Sequence, residues 1–249
     1  MEPTAVPGIG DRLEGVHAVA AAIVAGRVTE LKIEEGRAGS AELKELLEAA
    51  SAAGIKPEYV EDVRPMAATT APQGVVAFAR PIKTLDVRSL VETADPPVIV
   101  VLDHAEDPRN VGAIARSAVA AGAGGMIVPS RRAAPLGATA FKAAVGAFEK
   151  LPVAVVPSIA DAVRQLRDRG IWVVALDGDS DQSFFELRIL DDPIAVIVGA
   201  EGKGVSRLAS ERADVVARLP MANDVESLNA SVAAALALFE IGRTRGALS

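Results

Sequence analysis

The sequence predicts an α/β protein in which a small N-terminal α/β domain precedes a parallel sheet covered by helices on both faces. Half of the residues are hydrophobic but only 3% are aromatic, so Ala, Val, Leu and Ile must form the core, as is usual for helices packed on parallel strands. After residue 97, short and continuously apolar segments alternate with helical patterns. Ligands of such sheets bind beyond the carboxyl ends of the strands, so the loops at those ends are the expected site.

Residues 10–80 have the pattern of a small α/β domain without a catalytic constellation of its own. Its clearest element is an amphipathic helix in which Leu43, Leu46 and Leu47 share one face and Ser40 is the expected N-cap. The expected elements are, in order, a helix over 15–25, a strand over 28–34, a helix over 40–53, and strands over 55–60 and 73–79.

Residues 81–97 are bracketed by prolines and rich in charges, which predicts a linker between two domains. Residues 98–249 form the second predicted domain. Its strands are expected over 98–102, 125–128, 153–156, 171–176, 194–198 and 215–219. Helices are expected over 110–121, 138–148 and 158–169, and again after the last strand.

The composition excludes several classes of protein. The absence of cysteine excludes a disulfide framework, and two histidines, His17 and His104, argue against a histidine-based metal site. No apolar run is long enough for a membrane span, and the N-terminus lacks a signal-peptide pattern, so we expect a soluble, cytoplasmic protein. The net charge of −7 argues against nucleic-acid binding by bulk positive charge, so any nucleic-acid contact requires a local basic patch.

The first loop of interest follows the strand over 98–102 and reads DHAEDPRNVGAIARSAVAAG. Helix capping and the helix dipole account for an Asp or Asn at position 107 or 110, but they do not account for an arginine at position 116. We expect Asn110 and Arg116 to point toward one pocket, where a guanidinium would suit a phosphate or a carboxylate. The competing interpretation of Arg116 is an ordinary solvated surface arginine.

The second loop, GAEGKGVSRL, follows the strand over 194–198. Gly199, Gly202 and Gly204 allow the backbone to approach a ligand closely. The spacing fits neither a GxGxxG dinucleotide fingerprint nor a P-loop. Glu201 would repel a pyrophosphate, which disfavours phosphate-bearing cofactors and leaves room for a cationic one.

The third loop runs from Leu219 into the C-terminal helix. Ser227, Asn229 and Ser231 stand at the start of an otherwise apolar helix, where Ser and Asn compete with the helical backbone. One of them can be a cap. Three within five residues, directly after a strand, favour a ligand site at a strand–helix junction.

A group of basic residues is expected at the same end of the sheet and is the candidate for the local basic patch that nucleic-acid binding would require. Its members are Arg109, Arg131, Arg132 and Lys142. The competing interpretation is an ordinary solvated face.

The three loops together resemble the three motifs of the SpoU, or TrmH-type, RNA ribose 2'-O-methyltransferases of the SPOUT class. The matching segments are DPRNVGAIARSAVAAG, VIVGAEGKGVSRL and LPMANDVESLNASVAAALALFE, in the family's order. The N-terminal segments GVHAVAAAIVAGRVTELKI and QGVVA are similar to the substrate-binding domain, related to ribosomal protein L30e, of the branch that methylates a guanosine of 23S rRNA.

The resemblance implies a deep trefoil knot in the C-terminal domain, S-adenosylmethionine as cofactor, and a homodimer with the C-terminal helix in its interface. The cofactor-binding residues that it implies are Gly199, Gly202, Leu219, Met221 and Leu228. The catalytic residues that it implies are Asn110, Arg116, Glu201, Ser227 and Asn229. Metal is not part of this chemistry.

Within that resemblance, Arg116 is expected to hold the phosphate beside the target ribose as an electrostatic clamp, because a free guanidinium has a pKa above about 12 and is a poor base. Glu201 is expected to orient the ribose or relay its proton. Asn223 replaces a glycine common in the family, and asparagine tolerates a positive φ better than other non-glycine residues.

Other functions stay open on the sequence alone. The same chemistry could act on tRNA or on the rRNA site that confers thiopeptide resistance, and a non-catalytic RNA-binding protein could keep the same fold. A nucleotide-dependent oxidoreductase is disfavoured by the missing dinucleotide fingerprint.

Overall fold

The computed structural model describes residues 4–5, 8–131, 135–200, 202–223 and 227–248. The N-terminal part is a four-stranded mixed sheet, in the order β2-β5-β3-β4, with two helices. Its elements are β1 (Thr4–Ala5), β2 (Arg12–Glu14), α1 (Val16–Val24), β3 (Val28–Glu34), α2 (Ala41–Ala52), β4 (Glu58–Val60) and β5 (Val75–Ala79). The predicted small α/β domain is therefore present, although β4 covers only half of the strand predicted over 55–60.

The segment over 81–97, predicted as a linker, carries regular structure. It contains β6 (Lys83–Thr84), which pairs with β1, and the short helix α3 (Val87–Val91). Asp86 caps α3 by accepting a hydrogen bond from the Ser89 amide at 2.7 Å. Val87 and Leu90 are buried in the core of the following domain, so the segment packs on that domain.

The C-terminal part is a six-stranded parallel sheet in the order β12-β10-β11-β7-β8-β9. Its strands are β7 (Val98–Leu102), β8 (Gly125–Pro129), β9 (Val153–Val156), β10 (Trp172–Leu176), β11 (Ile194–Val198) and β12 (Val215–Ala217). Its helices are α4 (Pro108–Ala120), α5 (Ala138–Ala144), α6 (Ile159–Arg167), α7 (Arg207–Arg212) and α8 (Ala230–Thr244). The predicted parallel α/β class is confirmed.

Both faces of this sheet are buried, as the continuous apolar runs predict. In β7, Val98, Val100 and Leu102 belong to one core cluster, whereas Ile99 and Val101 belong to the other. The helix predicted over 138–148 is interrupted, because Val145 and Gly146 adopt left-handed backbone conformations before a 3₁₀ turn over Ala147–Glu149.

The two domains pack directly against each other. A Cβ atom on Gly10 would lie 2.3 Å from the ring of Phe141 in α5, so only glycine permits this approach. Arg27 pairs with Glu149 through two hydrogen bonds, one of them 2.8 Å long, and both side chains are largely buried. The ion pair and the close packing connect the N-terminal domain to α5 and to the turn that follows it.

Candidate active site

A cavity of about 340 Å³ lies at the carboxyl edge of the sheet, enclosed by the segments after β10, β11 and β12. The residues predicted to bind the cofactor all line it, namely Gly199, Gly202, Leu219, Met221 and Leu228. Ser227, a predicted catalytic residue, lines it as well. Loops far apart in the chain converge here because parallel strands end at the same edge.

The turn after β11 forms one wall of this cavity. Ala200 and Gly204 exchange backbone hydrogen bonds of 3.2 and 2.9 Å, and Gly202 and Gly204 both have positive φ. A Cβ atom on Gly199 would lie 2.0 Å from the carbonyl carbon of Gly204, so a side chain there would collide with backbone. The glycines therefore serve the tight turn itself. Glu201, predicted to be catalytic, lies outside the described residues.

A second cavity, of about 200 Å³, adjoins the first. The two share a wall made of Gly199, Ala200, Lys203 and Ala230. Asn110, from the first turn of α4, lines only the second cavity. The site thus consists of two adjacent chambers, one against the glycine turn and one against the start of α4.

Asn229 joins the first and third motifs. Its side-chain amide donates to the Asn110 carbonyl oxygen at 3.1 Å. Its own carbonyl oxygen accepts from the Ser231 amide at 2.9 Å and from the Ser231 hydroxyl at 2.6 Å, which makes Asn229 the N-cap of α8. The asparagine is thus both a cap and a link between two loops, and the two interpretations of the polar cluster are compatible.

Asp103 connects the first motif to the second through a hydrogen bond. It was not among the predicted site residues. It is buried directly after β7, and its carboxylate accepts a hydrogen bond from the Ser206 amide at 2.7 Å, at the start of α7. Its other oxygen lies 3.5 Å from Nε2 of His104. An acidic residue that directly follows a buried strand was the available signal.

Arg116 is not brought into either cavity. It is exposed on α4 and forms no hydrogen bond or ion pair with the described part of the chain. It lies six positions after Asn110 on the helix, a rotation of roughly 240°, so the two side chains leave the helix in different directions.

The predicted basic patch is divided. Arg109 and Arg131 are exposed at the carboxyl edge, after β7 and β8. Lys142 instead donates a hydrogen bond to the Ala71 carbonyl of the N-terminal domain. Arg132 lies outside the described residues.

The loop after β10 adds acidic groups that the sequence patterns did not single out. Asp177 and Asp179 line the larger cavity, and the Asp177 carboxylate accepts a hydrogen bond from the Asp179 amide at 3.0 Å. The position of this loop after an apolar strand was the only signal in the sequence. Carboxylates at a cavity wall favour a positively charged ligand.

Two protein-family models match the chain and together cover most of its length. The model of the SpoU rRNA Methylase family matches residues 97–239, and a model described as RNA 2'-O ribose methyltransferase substrate binding matches residues 12–85. The chain belongs to the SpoU rRNA methylase family. The predicted resemblance is therefore confirmed.

Among its relatives is the 23S rRNA (guanosine-2'-O-)-methyltransferase RlmB of Pseudomonas putida, 40% identical over 94% of this chain and 97% of the relative. YacO of Bacillus subtilis, assigned to the TrmH family of tRNA/rRNA methyltransferases, is 40% identical over 81% of this chain and 83% of its own. A solved structure of the SpoU methyltransferase AviRb from Streptomyces viridochromogenes, in complex with AdoMet, is 27% identical with a TM-score of 0.76, covering 94% of this chain and 89% of that one.

Asn223 stands where a glycine is common in the SpoU family. Asn223 has a φ of 59°, as expected where asparagine replaces glycine in a turn. The described residues give no sign of a metal site or a membrane span. Among them, no group of three or more His, Cys, Asp or Glu side chains could hold a metal ion.

No helix in the described ranges has the length and apolarity to cross a membrane.

Proposed function

We propose that this SpoU-family protein transfers the methyl group of S-adenosylmethionine to the 2'-hydroxyl of a guanosine in 23S rRNA. The observation that carries the proposal is the cavity of about 340 Å³ at the carboxyl edge, lined by residues of the second and third motifs. The name of the Pseudomonas putida relative supports the guanosine and the rRNA, and AviRb in complex with AdoMet supports the cofactor. An rRNA substrate also agrees with a cytoplasmic enzyme.

The residues of the larger cavity fit this cofactor chemically. Leu219 and Leu228 give it apolar surface, as an adenine requires, while the glycine turn exposes backbone groups. Asp177 and Asp179 give it negative charge, which suits a molecule with an ammonium and a sulfonium group. When bound, S-adenosylmethionine supplies an electrophilic methyl group, so the protein needs to orient the ribose and to accept its proton.

The described polar residues have roles that follow from their positions. Asn229, fixed as the helix cap, orients Asn110 at the wall of the smaller cavity, where the ribose would enter. Ser227 would hold the hydroxyl or the cofactor from the neighbouring cavity. Arg116 lies outside both cavities of one chain, so it would act on RNA backbone that extends beyond them.

A homodimer is part of the proposal. Val232, Leu236 and Phe239 are 46%, 43% and 42% exposed and follow the i, i+4, i+7 spacing of one face of α8. Apolar stripes of this kind are typical of helices that pack against a partner. Light scattering of the purified protein should give twice the chain mass, and Phe239→Glu should reduce it to the mass of one chain.

The test of function is methyl transfer from labelled S-adenosylmethionine to unmodified 23S rRNA, with tRNA in parallel and the product mapped by nuclease digestion and mass spectrometry. We expect 2'-O-methylguanosine in the 23S rRNA. Transfer to tRNA alone would support the proposed methyl transfer but contradict 23S rRNA as the substrate. Transfer to neither RNA, with no binding of S-adenosylmethionine by calorimetry, would overturn the activity and favour a non-catalytic RNA-binding protein.

Arg116→Ala provides a second test of the proposed mechanism. Losing a charge-assisted contact to the RNA backbone should lower kcat/KM for RNA roughly 10–100-fold. The affinity for S-adenosylmethionine should stay within a factor of two, because Arg116 does not line the larger cavity. A parallel loss of cofactor affinity would contradict the assignment.

A further inference from the structure

Lys203 occupies a distinctive place in the site. It belongs to the shared wall and lines both the larger and the smaller cavity. Among the described residues it is the only positively charged one that lines either of them. Its position therefore differs from that of Arg109, Arg116 and Arg131, which line neither cavity.

The backbone of Lys203 is held in place while its side chain is exposed. The Lys203 amide donates to the Ala200 carbonyl at 3.3 Å, inside the tight turn that Ala200 and Gly204 close. The ammonium forms no ion pair or hydrogen bond with the described part of the chain. A cation on a rigid turn, without an internal partner, is well placed to bind an external anion.

The charge around the smaller cavity shows why an anionic substrate would need this lysine. Glu106 and Asp107 line that cavity beside Asn110, and the whole chain carries a net charge of −7. An RNA backbone approaching Asn110 would therefore meet two carboxylates. Lys203, which lines the same cavity, supplies the compensating positive charge.

We infer that Lys203 is an RNA-binding residue of the methyl-transfer site, where its ammonium pairs with a phosphate next to the target ribose. The inference rests on the proposed RNA methylation and adds a substrate contact to it. Lysine suits this role because its ammonium is a compact point charge with three donors that adapts to a phosphate. The alternative anion is the carboxylate of the cofactor, and the experiment below separates the two.

The experiment uses the full-length protein with Lys203→Met, which keeps the length of the side chain and removes the charge, and Lys203→Arg, which keeps the charge. Lys150→Met is the matched control, because Lys150 is exposed just before β9, at the opposite edge of the sheet. Three quantities are measured: KM for an unmodified 23S rRNA fragment, the salt dependence of RNA binding, and the calorimetric Kd for S-adenosylmethionine. Melting temperatures verify that every variant is folded.

For Lys203→Met we expect KM for RNA to rise about tenfold, as for the loss of one charge-assisted contact. The slope of log K against log salt should become shallower by about 0.7–0.9, the value for one phosphate. Lys203→Arg should restore most of both quantities, and Lys150→Met should change neither. The Kd for S-adenosylmethionine should stay within a factor of two.

Two results would overturn the inference. An unchanged KM and salt slope in Lys203→Met would make Lys203 an ordinary solvated lysine. A loss of S-adenosylmethionine affinity without a change in the salt slope would assign the ammonium to the cofactor carboxylate. A wild-type protein that methylates no RNA would instead overturn the proposed function, so the two failures are distinguishable.

Discussion

Two arginines at the amino edge of the parallel sheet are bonded within the fold, whereas three cations at its carboxyl edge form no ion pair with the described residues. At the amino edge, Arg167 pairs with Asp214 at 2.6 Å, and the same carboxylate accepts the Val173 amide at 2.9 Å. Arg245, at the end of α8, donates to the carbonyls of Leu190, Pro96 and Asp192. These guanidinium groups have their hydrogen bonds satisfied within the fold.

At the carboxyl edge, Arg109, Arg131 and Lys203 form no ion pair with the described part of the chain. The side chains compared at the two edges are cations of similar chemistry. They differ because, within the described part of the chain, only the two at the amino edge have carboxylate or carbonyl oxygens close enough to bind. Arg167 and Arg245 at the amino edge contribute to stability, whereas Arg109, Arg131 and Lys203 at the carboxyl edge remain available for a ligand. Substitutions at the two edges should therefore separate binding from stability.

The largest effect is expected at the carboxyl edge, for Gly199→Ala. The new Cβ atom would collide with the Gly204 backbone and deform the wall of the larger cavity. S-adenosylmethionine affinity, measured by calorimetry, should fall more than about 100-fold, with a stability loss of roughly 1–3 kcal/mol. Gly137→Ala, which has no heavy atom within 4 Å of its Cβ, is the control and should change neither quantity. Unchanged cofactor affinity in Gly199→Ala would remove the glycine turn from the cofactor site.

Arg245→Ala should produce the reverse result at the amino edge. Three carbonyl oxygens would lose their charged donor, which should lower the free energy of unfolding by about 2 kcal/mol. Urea denaturation measures this loss, and calorimetry at low temperature should give wild-type affinity for S-adenosylmethionine. A large loss of cofactor affinity in the folded variant would mean that the two edges are coupled.

Substitutions of Asn229 can separate its contribution to stability, as a helix cap, from its contribution to methyl transfer, through its contact with Asn110. Asn229→Ala removes the cap of α8 and should cost about 1 kcal/mol, whereas Asn229→Ser keeps a capping oxygen and should recover most of that stability. Both variants lose the contact with Asn110, so both should lose methyl transfer to the same extent. Full activity in Asn229→Ser, assayed with labelled cofactor, would reduce Asn229 to a helix cap.

The smallest effect is expected for an ion pair away from both edges. The hydrogen bond from Arg243 holds the pKa of Glu240 below its usual range, so Glu240 contributes stability above the carboxyl pKa of an unfolded chain and loses it as the pH falls further. Glu240→Gln should cost under about 0.5 kcal/mol at pH 7. The difference from wild type, followed by melting temperature, should shrink as the pH falls below the pKa of an unfolded glutamate, about 4.3, and should disappear only below the lowered pKa of Glu240. A difference that persisted there would require a source other than charge.

Much of the fold follows from local sequence patterns. Continuous apolar runs predict strands buried on both faces, and β7, β10 and β11 lie within one residue of the predicted limits. Polar residues after those strands predict the edge that carries the site, because parallel strands of one sheet all end at the same edge. Regular structure in the segment over 81–97 is harder to predict, because α3 spans only five residues and its apolar pattern is correspondingly weak.

Only the tertiary structure decides which of these loops meet. Asn110 and Asn229 are 119 positions apart and come into contact because α8 packs against α4. The pairing of β11 with β7 places the turn with Lys203 beside the loop that leads into α4, so that Lys203 lines both cavities. Periodicity determines which face of an element is buried, because that depends on neighbours in the chain. It does not determine the order of strands in the sheet, since that order depends on packing between residues that are distant in sequence.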